Sequence, residues 1–470
     1  MTNVVLRMKI FSLFFLLLVL IPFSPSFSLF TIAGREVNVG VHTLLIALIL
    51  IITLFNGAGL KVLKEPATLT LILLVWWTFL TIIVSAFHAG APAIANSVVT
   101  WLRWVQFIPV FCLIVYGVGK EIDFEKIVRI LFFLGLVIAA WGIYETFFPS
   151  EFAAEHFRGA ATFTKPLFRE HDLLEVIDPK TGFYAGSANY NIAGLFSAMV
   201  ALVAIPFLFK SYGSYIIIKT SLLSFVITFL LIVGVFVTYS RSALLSLIGG
   251  MLVVNSIKAP ISRVLLTVVL LVLGAIILVV FFSEWGFTQL ILSTITYLPA
   301  AVPIVMETPV FHEAMGFDGN VFGAAMRFVA ISEALRIFME SPLLGVGFFG
   351  FSQHSPLGTA ENFFAQILAE TGIIGFTLFI IFLFHVWQCT KIKFKRETFA
   401  YKYQIGFRGV FVAGIIANLT GTLFYDTRIW GLFLVLSAIM IRLARDEYRF
   451  KQNGRKVGKG DEDYIPLNKH

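Results

Sequence analysis

The sequence predicts an all-α polytopic membrane protein of about twelve transmembrane helices, with a large helical loop on the outer face. Hydrophobic residues make up 59% of the 470-residue chain and charged residues only 13%, far outside globular averages. The apolar residues fall in continuous runs, among them 10–23, 71–84, 222–237 and 265–282. In hydrocarbon every backbone polar group needs an internal partner, so runs of this kind are helical spans and a β-barrel is excluded.

Windowed hydropathy places the spans near 9–28, 41–58, 67–86, 98–118, 129–148, 189–209, 220–238, 242–256, 264–283, 373–390, 405–424 and 429–446. The first follows Arg7 and Lys9 as a signal-peptide core would, but Ser24-Pro25-Ser26-Phe27-Ser28 is a poor cleavage site, so it reads as an uncleaved span. With the N-terminus inside, the inner loops and tail carry 24 Lys and Arg against 9 in the outer loops. The positive-inside rule therefore puts both termini in the cytoplasm.

Two outer segments exceed turn length, 149–188 and 283–371. In the second, a helix is expected from Ala324 to Met339, stopped by Ser341-Pro342. After Gly345, Gly347 and Gly350 a second helix should run from Thr359, as N-cap, to Gly372. The chain thus divides into a bundle at 1–229, a region at 230–446 that includes the outer loop 284–371, and a charged tail at 447–470. That tail serves at most as an anchor on anionic lipid.

The formal charge of +8 is scattered between apolar runs and not gathered on one face, so no nucleic-acid partner is expected. Cys112 and Cys389 fall in or at the end of spans and indicate neither a disulfide nor a metal site. No phosphate-binding glycine loop occurs, which argues against an ATP-driven pump and leaves no cofactor implied. His312 and His354 have no neighbours at metal-ligand spacing.

The residues that could carry chemistry are mostly on the outer side. Arg103, in Trp101-Leu102-Arg103-Trp104, either snorkels between interfacial tryptophans or holds an anionic head group. Arg241 sits in a very short turn, Thr238-Tyr239-Ser240-Arg241-Ser242, a fixed depth that suits a membrane-flanking anchor or a phosphate clamp. Arg327 shares a helical face with Ile331 and Ala334, for an ion pair with a loop carboxylate such as Glu313 or for an anionic ligand. Glu361 and Asn362 fall in the first turn of the second helix, where Glu361 either complements the helix dipole or acts as a general base. Glu370, nine residues on, lies on the opposite face and is expected to order structure near the membrane surface.

Ser240-Arg241-Ser242, then Arg327 ahead of Glu340-Ser341-Pro342-Leu343-Leu344-Gly345-Val346-Gly347, then Glu361-Asn362 and Glu370-Thr371-Gly372-Ile373-Ile374-Gly375, resembles the O-antigen ligase and polymerase family of membrane glycosyltransferases. The resemblance covers roughly residues 230–390. It implies a metal-independent enzyme of the bacterial inner membrane that takes a glycan from an undecaprenyl-pyrophosphate donor and joins it to a glycan or lipid-linked acceptor at the periplasmic face. By the family pattern, Arg241 and Arg327 bind the donor pyrophosphate and Glu361 stands at the position of the ligase histidine as the catalytic candidate; Arg103 is a further candidate for the donor pyrophosphate, and Asn362, Glu370 and His354 are supporting candidates. Ligases of the family show His-Asn where this chain has Glu361-Asn362, which favours a polymerase or another exopolysaccharide-assembly member over a ligase. A secondary transporter or flippase of lipid-linked sugar or small anions fits the composition too, but no internal repeat is evident and the charged candidates cluster beside the outer loop.

Overall fold

The computed structural model describes residues 26–32, 35–40, 64–89, 91–117, 124–147, 188–208, 210–212, 215–217, 222–238, 240–256, 319–355, 357–396 and 398–457. The expected spans at 41–58 and 264–283, most of the first span, the outer segment 149–187, Glu313 and His312 lie outside them.

In chain order the helices are α1 (Pro66–Ala89), α2 (Ala91–Val105), α3 (Ile108–Cys112), α4 (Phe124–Phe147), α5 (Ala188–Ala204), α6 (Leu222–Val237) and α7 (Arg241–Ser256). There follow α8 (Gly319–Glu340), α9 (Phe351–His354), α10 (Phe363–Cys389), α11 (Phe399–Leu419) and α12 (Thr427–Val457). Two hairpins depart from the all-α expectation. β1 (Ser26–Ile32) pairs antiparallel with β2 (Arg35–Gly40), where the first span was expected to run to residue 28, and β3 (Lys210–Tyr212) pairs with β4 (Tyr215–Ile217). The register pairs Phe27 with Val39 and Phe30 with Val37 across an irregularity between Ser28 and Phe30, a local pairing that averaged hydropathy does not detect.

Five stretches of the described residues are long and apolar enough to cross a membrane: Pro66–Ile83, Ser97–Tyr116, Asn191–Leu208, Phe363–Cys389 and Thr427–Gln452. The expected single span at 98–118 is interrupted. Pro109 cannot donate to the carbonyl of Val105, so α2 ends there, and the chain turns through α3 into a π-helical turn at Leu113–Gly117. Arg442 and Arg445 of α12 both donate to the Val115 carbonyl in that turn, at 3.3 and 3.0 Å.

Small residues set the packing of the second half of the bundle. A Cβ at Gly249 would meet Ile416, and one at Gly250 would meet the Gly409 carbonyl, so α7 and α11 run antiparallel in close approach. The start of α7 therefore lies at the same end as Leu419, the last residue of α11. Ser240 caps α7, accepting from Ala243 N at 3.2 Å, and its hydroxyl donates to Asn191 of α5 at 2.5 Å. On the other side, α10 packs along α1, and Trp104 of α2 stacks on Trp430 of α12 at 5.1 Å.

The glycine-rich stretch after α8 is locked into a kink of α10. At Gly372 the backbone turns to φ 64°, breaking the helical ladder. The carbonyls freed at Ala369 and Glu370 accept from Val346 N and Gly347 N, and Ile373 N donates to the Pro342 carbonyl. Such close approach leaves no room for side chains. A Cβ at Gly345 (φ +71°) would stand 2.3 Å from Glu370 C, and one at Gly372 2.2 Å from Leu343 O. Gly358 has a similar φ of +72° but open space around it. Gly358→Ala is therefore expected to cost only the left-handed backbone term, about 1–2 kcal/mol, whereas Gly345→Ala and Gly372→Ala should lose most folded protein on heating. Fluorescence-detected size exclusion after a temperature ramp checks this, and equal losses in all three would refute the interlock.

Candidate active site

The helix that follows the glycine-rich stretch begins later than expected. Thr359 is not its N-cap: Asn362 holds an extended backbone (φ −150°, ψ 115°), and its side chain accepts from Ala365 N at 3.0 Å. Glu361 thus lies one residue outside the helix in the left-handed region, φ 50°. The first turn of α10 carries no acidic residue, so complementing the dipole from within that turn is not Glu361's role. An amide at the cap satisfies an orphan backbone donor that a threonine three residues earlier cannot reach. Glu361 is exposed, and its Oε1 accepts from Thr359 Oγ1 at 3.2 Å.

Around Glu361 the backbone is held at several points. Asn362 Nδ2 donates to the Leu419 carbonyl at 2.9 Å, and Phe363 N to that of Gly421 at 3.0 Å, stitching the entry of α10 to the exit of α11. Ala360 N donates to Gln366 Oε1 at 3.1 Å, and Gln366 Nε2 donates onward to Glu370 at 2.9 Å. Glu370 is fully buried and accepts also from Phe349 N (2.8 Å), Phe351 N (3.3 Å) and Tyr425 OH (2.5 Å). Burial, together with the adjacent Glu370 carboxylate, pushes the Tyr425 phenol well above its ordinary range, so it stays a donor. Both oxygens of Glu370 are spent on holding the glycine-rich loop and the 423–425 turn against α10.

Arg241 is the first residue of α7, and the antiparallel pairing of α7 with α11 places that position at the end where Asn362 meets Leu419. Its side chain lies outside the described residues. Arg327 is half-buried on α8, on the face that carries Ala334 and Ile337 against Phe351, Ala360 and Ala369. Arg103 stands beside Trp104, which is fully buried and donates to the Phe424 carbonyl at 3.1 Å. Trp101 donates to Thr78 Oγ1 at 3.0 Å. Both indoles hydrogen-bond within the protein, and Arg103 between them is exposed. His354 closes α9 with Nδ1 3.1 Å from the Gly350 carbonyl.

Sequence reasoning passed over the turn after α11. Asp426 caps α12 through Arg428 N at 2.9 Å and grips the Arg428 guanidinium at 3.1 and 2.9 Å. This fixes a cation next to Tyr425, at the same end as Glu361. The sequence signal was the Asp-x-Arg spacing across a helix start, read only as one more outer-loop charge.

Residues 226–380 match the O-antigen ligase family model. The resemblance to the O-antigen ligase and polymerase family therefore stands over this region. The O-antigen ligase match spans α6, α7, α8, α9 and the first part of α10. Arg103 and the 423–428 turn lie beyond it. No curated protein matches the chain significantly.

Proposed function

We propose that this protein is an inner-membrane glycosyltransferase that transfers or polymerises a glycan from an undecaprenyl-pyrophosphate donor at the outer face, with polymerisation favoured over ligation. The observation that carries this reading is the O-antigen ligase match over 226–380, which contains Arg241, Arg327 and Glu361. In this scheme Glu361 takes the proton of the acceptor hydroxyl as its oxygen bonds to the anomeric carbon. The bond from that carbon to the pyrophosphate oxygen breaks, and the charge that develops on the leaving group is met by Arg241 and Arg327, with Arg103 nearby. Fixed guanidinium groups stabilise such charge without reorganising, and their fork suits two phosphate oxygens at once. Glutamate in place of the histidine of family ligases is the feature that favours a polymerase.

The test is chain growth on a lipid-linked glycan by the purified protein in vesicles. Arg327→Lys and Arg241→Lys are expected to lower the rate at least tenfold, because an ammonium loses the bidentate geometry. Full activity in both, with normal expression, removes the pyrophosphate role. Addition of a single glycan to a lipid core acceptor, without elongation, would identify a ligase.

The same reading places both termini in the cytoplasm, as the charge asymmetry indicates. In whole cells an impermeant thiol reagent should reach Gly358→Cys and not Lys395→Cys. Labelling at position 395 alone would invert the arrangement.

A further inference from the structure

Helix α8 presents three distinct edges. At roughly 100° per residue, Phe328, Leu335 and Met339 fall within about 40° of one another. Glu333, Arg336 and Glu340 lie about 80–140° round from Phe328, and Ala330, Ala334 and Ile337 about 180–240° round. The last group is buried, packed against Phe351, Ala360 and Ala369. The charged group is solvated and internally paired: Arg336 bridges Glu333 at 2.8 Å and also bonds Glu340, and holds the Glu333 carboxyl below its usual range. The first group should have no reason to face water, yet Met339 is 73% exposed and Leu335 47%.

The exposed apolar edge does not stop at the end of α8. Leu343 is 62% exposed and Leu344 40%, and the hydrogen bond from Ile373 N to the Pro342 carbonyl joins this stretch to α10. On α10 the exposed large apolar side chains are Ile373, Ile374, Ile380, Ile381 and Phe384, with the exposed Thr377 among them, all within a stretch long and apolar enough to cross a membrane. An apolar surface, with Thr377 as its uncharged polar member on α10, therefore runs from a membrane-spanning helix to the end of α8. What covers α10 there covers α8 as well.

We propose that the Phe328, Leu335 and Met339 edge of α8, with Leu343 and Leu344, is seated in the lipid leaflet beside α10, so that α8 is an interfacial helix. The charged edge then faces the aqueous side, about a quarter-turn away, as in helices that lie in the membrane plane. The occupant is lipid and not a second copy, because the surface is continuous with the flank of a spanning helix. Resting on the function proposed above, this seating holds Arg327, on the protein-facing side of the same helix, at the depth of lipid phosphates. A lipid-borne pyrophosphate would then meet it without leaving the membrane interface.

Spin labels at Leu335→Cys, Met339→Cys and Leu343→Cys, with Arg336→Cys as reference, test the seating in the full-length protein. The background would carry Cys112→Ser and Cys389→Ser, in phosphatidylethanolamine and phosphatidylglycerol vesicles. Collisions with oxygen should dominate those with a water-soluble nickel chelate at 335, 339 and 343, and the reverse should hold at 336. Nickel-dominated collisions at the first three positions overturn the proposal. So does shielding from both reagents with dipolar broadening, which indicates a second copy. The unmodified protein gives an independent reading: a phospholipid with a photoreactive group high in its acyl chain should crosslink within 335–344. Crosslinks confined to 373–384 would also overturn it. Neither readout depends on turnover, so failure here is distinct from failure of the glycosyltransferase reading.

Discussion

Replacing Glu370 by alanine is expected to be the most destabilising single change in the described structure. The substitution strands four donors that are otherwise satisfied: Phe349 N, Phe351 N, Gln366 Nε2 and Tyr425 OH. A buried donor left unpaired costs about 1–3 kcal/mol, so even the low end of that range sums to roughly 4 kcal/mol. The loss also spreads, because Gln366 supports Ala360 N and Tyr425 closes the turn that leads to the Asp426–Arg428 pair. Glu370→Gln keeps the shape but turns an amide NH₂ toward donors, and should be intermediate. Tyr425→Phe leaves three donors on the carboxylate and should cost about 1–2 kcal/mol. Thermal unfolding of the purified variants orders the series. A Glu370→Ala protein as heat-resistant as the parent would show that the carboxylate does not hold the loop.

Glu370 was legible as a structural residue, but its partners escaped the sequence because of their sequence distance. Continuous apolar runs are a local signal, and α1, α4, α5, α6, α7 and α12 start or end close to where hydropathy places them. Proline and glycine are local signals as well: Ser341-Pro342 stops α8, and Gly372 marks the change of direction in α10. Pro109 carried the break in the 97–116 stretch and was outweighed by the surrounding hydropathy. The Tyr425 to Glu370 bond spans 55 residues and the Trp104 bond to Phe424 spans 320, and neither leaves a periodic trace. The left-handed backbone of Glu361 depends on Asn362 taking the cap, and that depends in turn on the Leu419 carbonyl that anchors the amide. Residue types at the site were thus legible as an ordered set, with Glu370 as the structural glutamate, but the donors that Glu370 holds required the tertiary contacts.

That division of labour sets the expectation for Glu361. Glu361→Gln should lower chain growth by about 10² to 10⁴-fold, the usual contribution of a positioned general base, with folded yield unchanged. The substitution is conservative for structure: the side-chain oxygen can still accept from Thr359 Oγ1, and the cap belongs to Asn362. Asn362→Ala supplies the contrast, since loss of an N-cap costs about 0.5–2 kcal/mol of stability and should show in the melting curve before it shows in the rate. Glu361→Asp keeps the carboxylate but shortens its reach, and should retain a measurable fraction of turnover that Glu361→Gln lacks. Binding of the lipid-linked donor, read separately by retention on vesicles loaded with the immobilised protein, should survive all three changes. Turnover of Glu361→Gln within a few-fold of the parent would take the base role away from Glu361. His354 would then be the next residue to change, because its Nδ1 faces the Gly350 carbonyl and its Nε2 makes no hydrogen bond among the described residues.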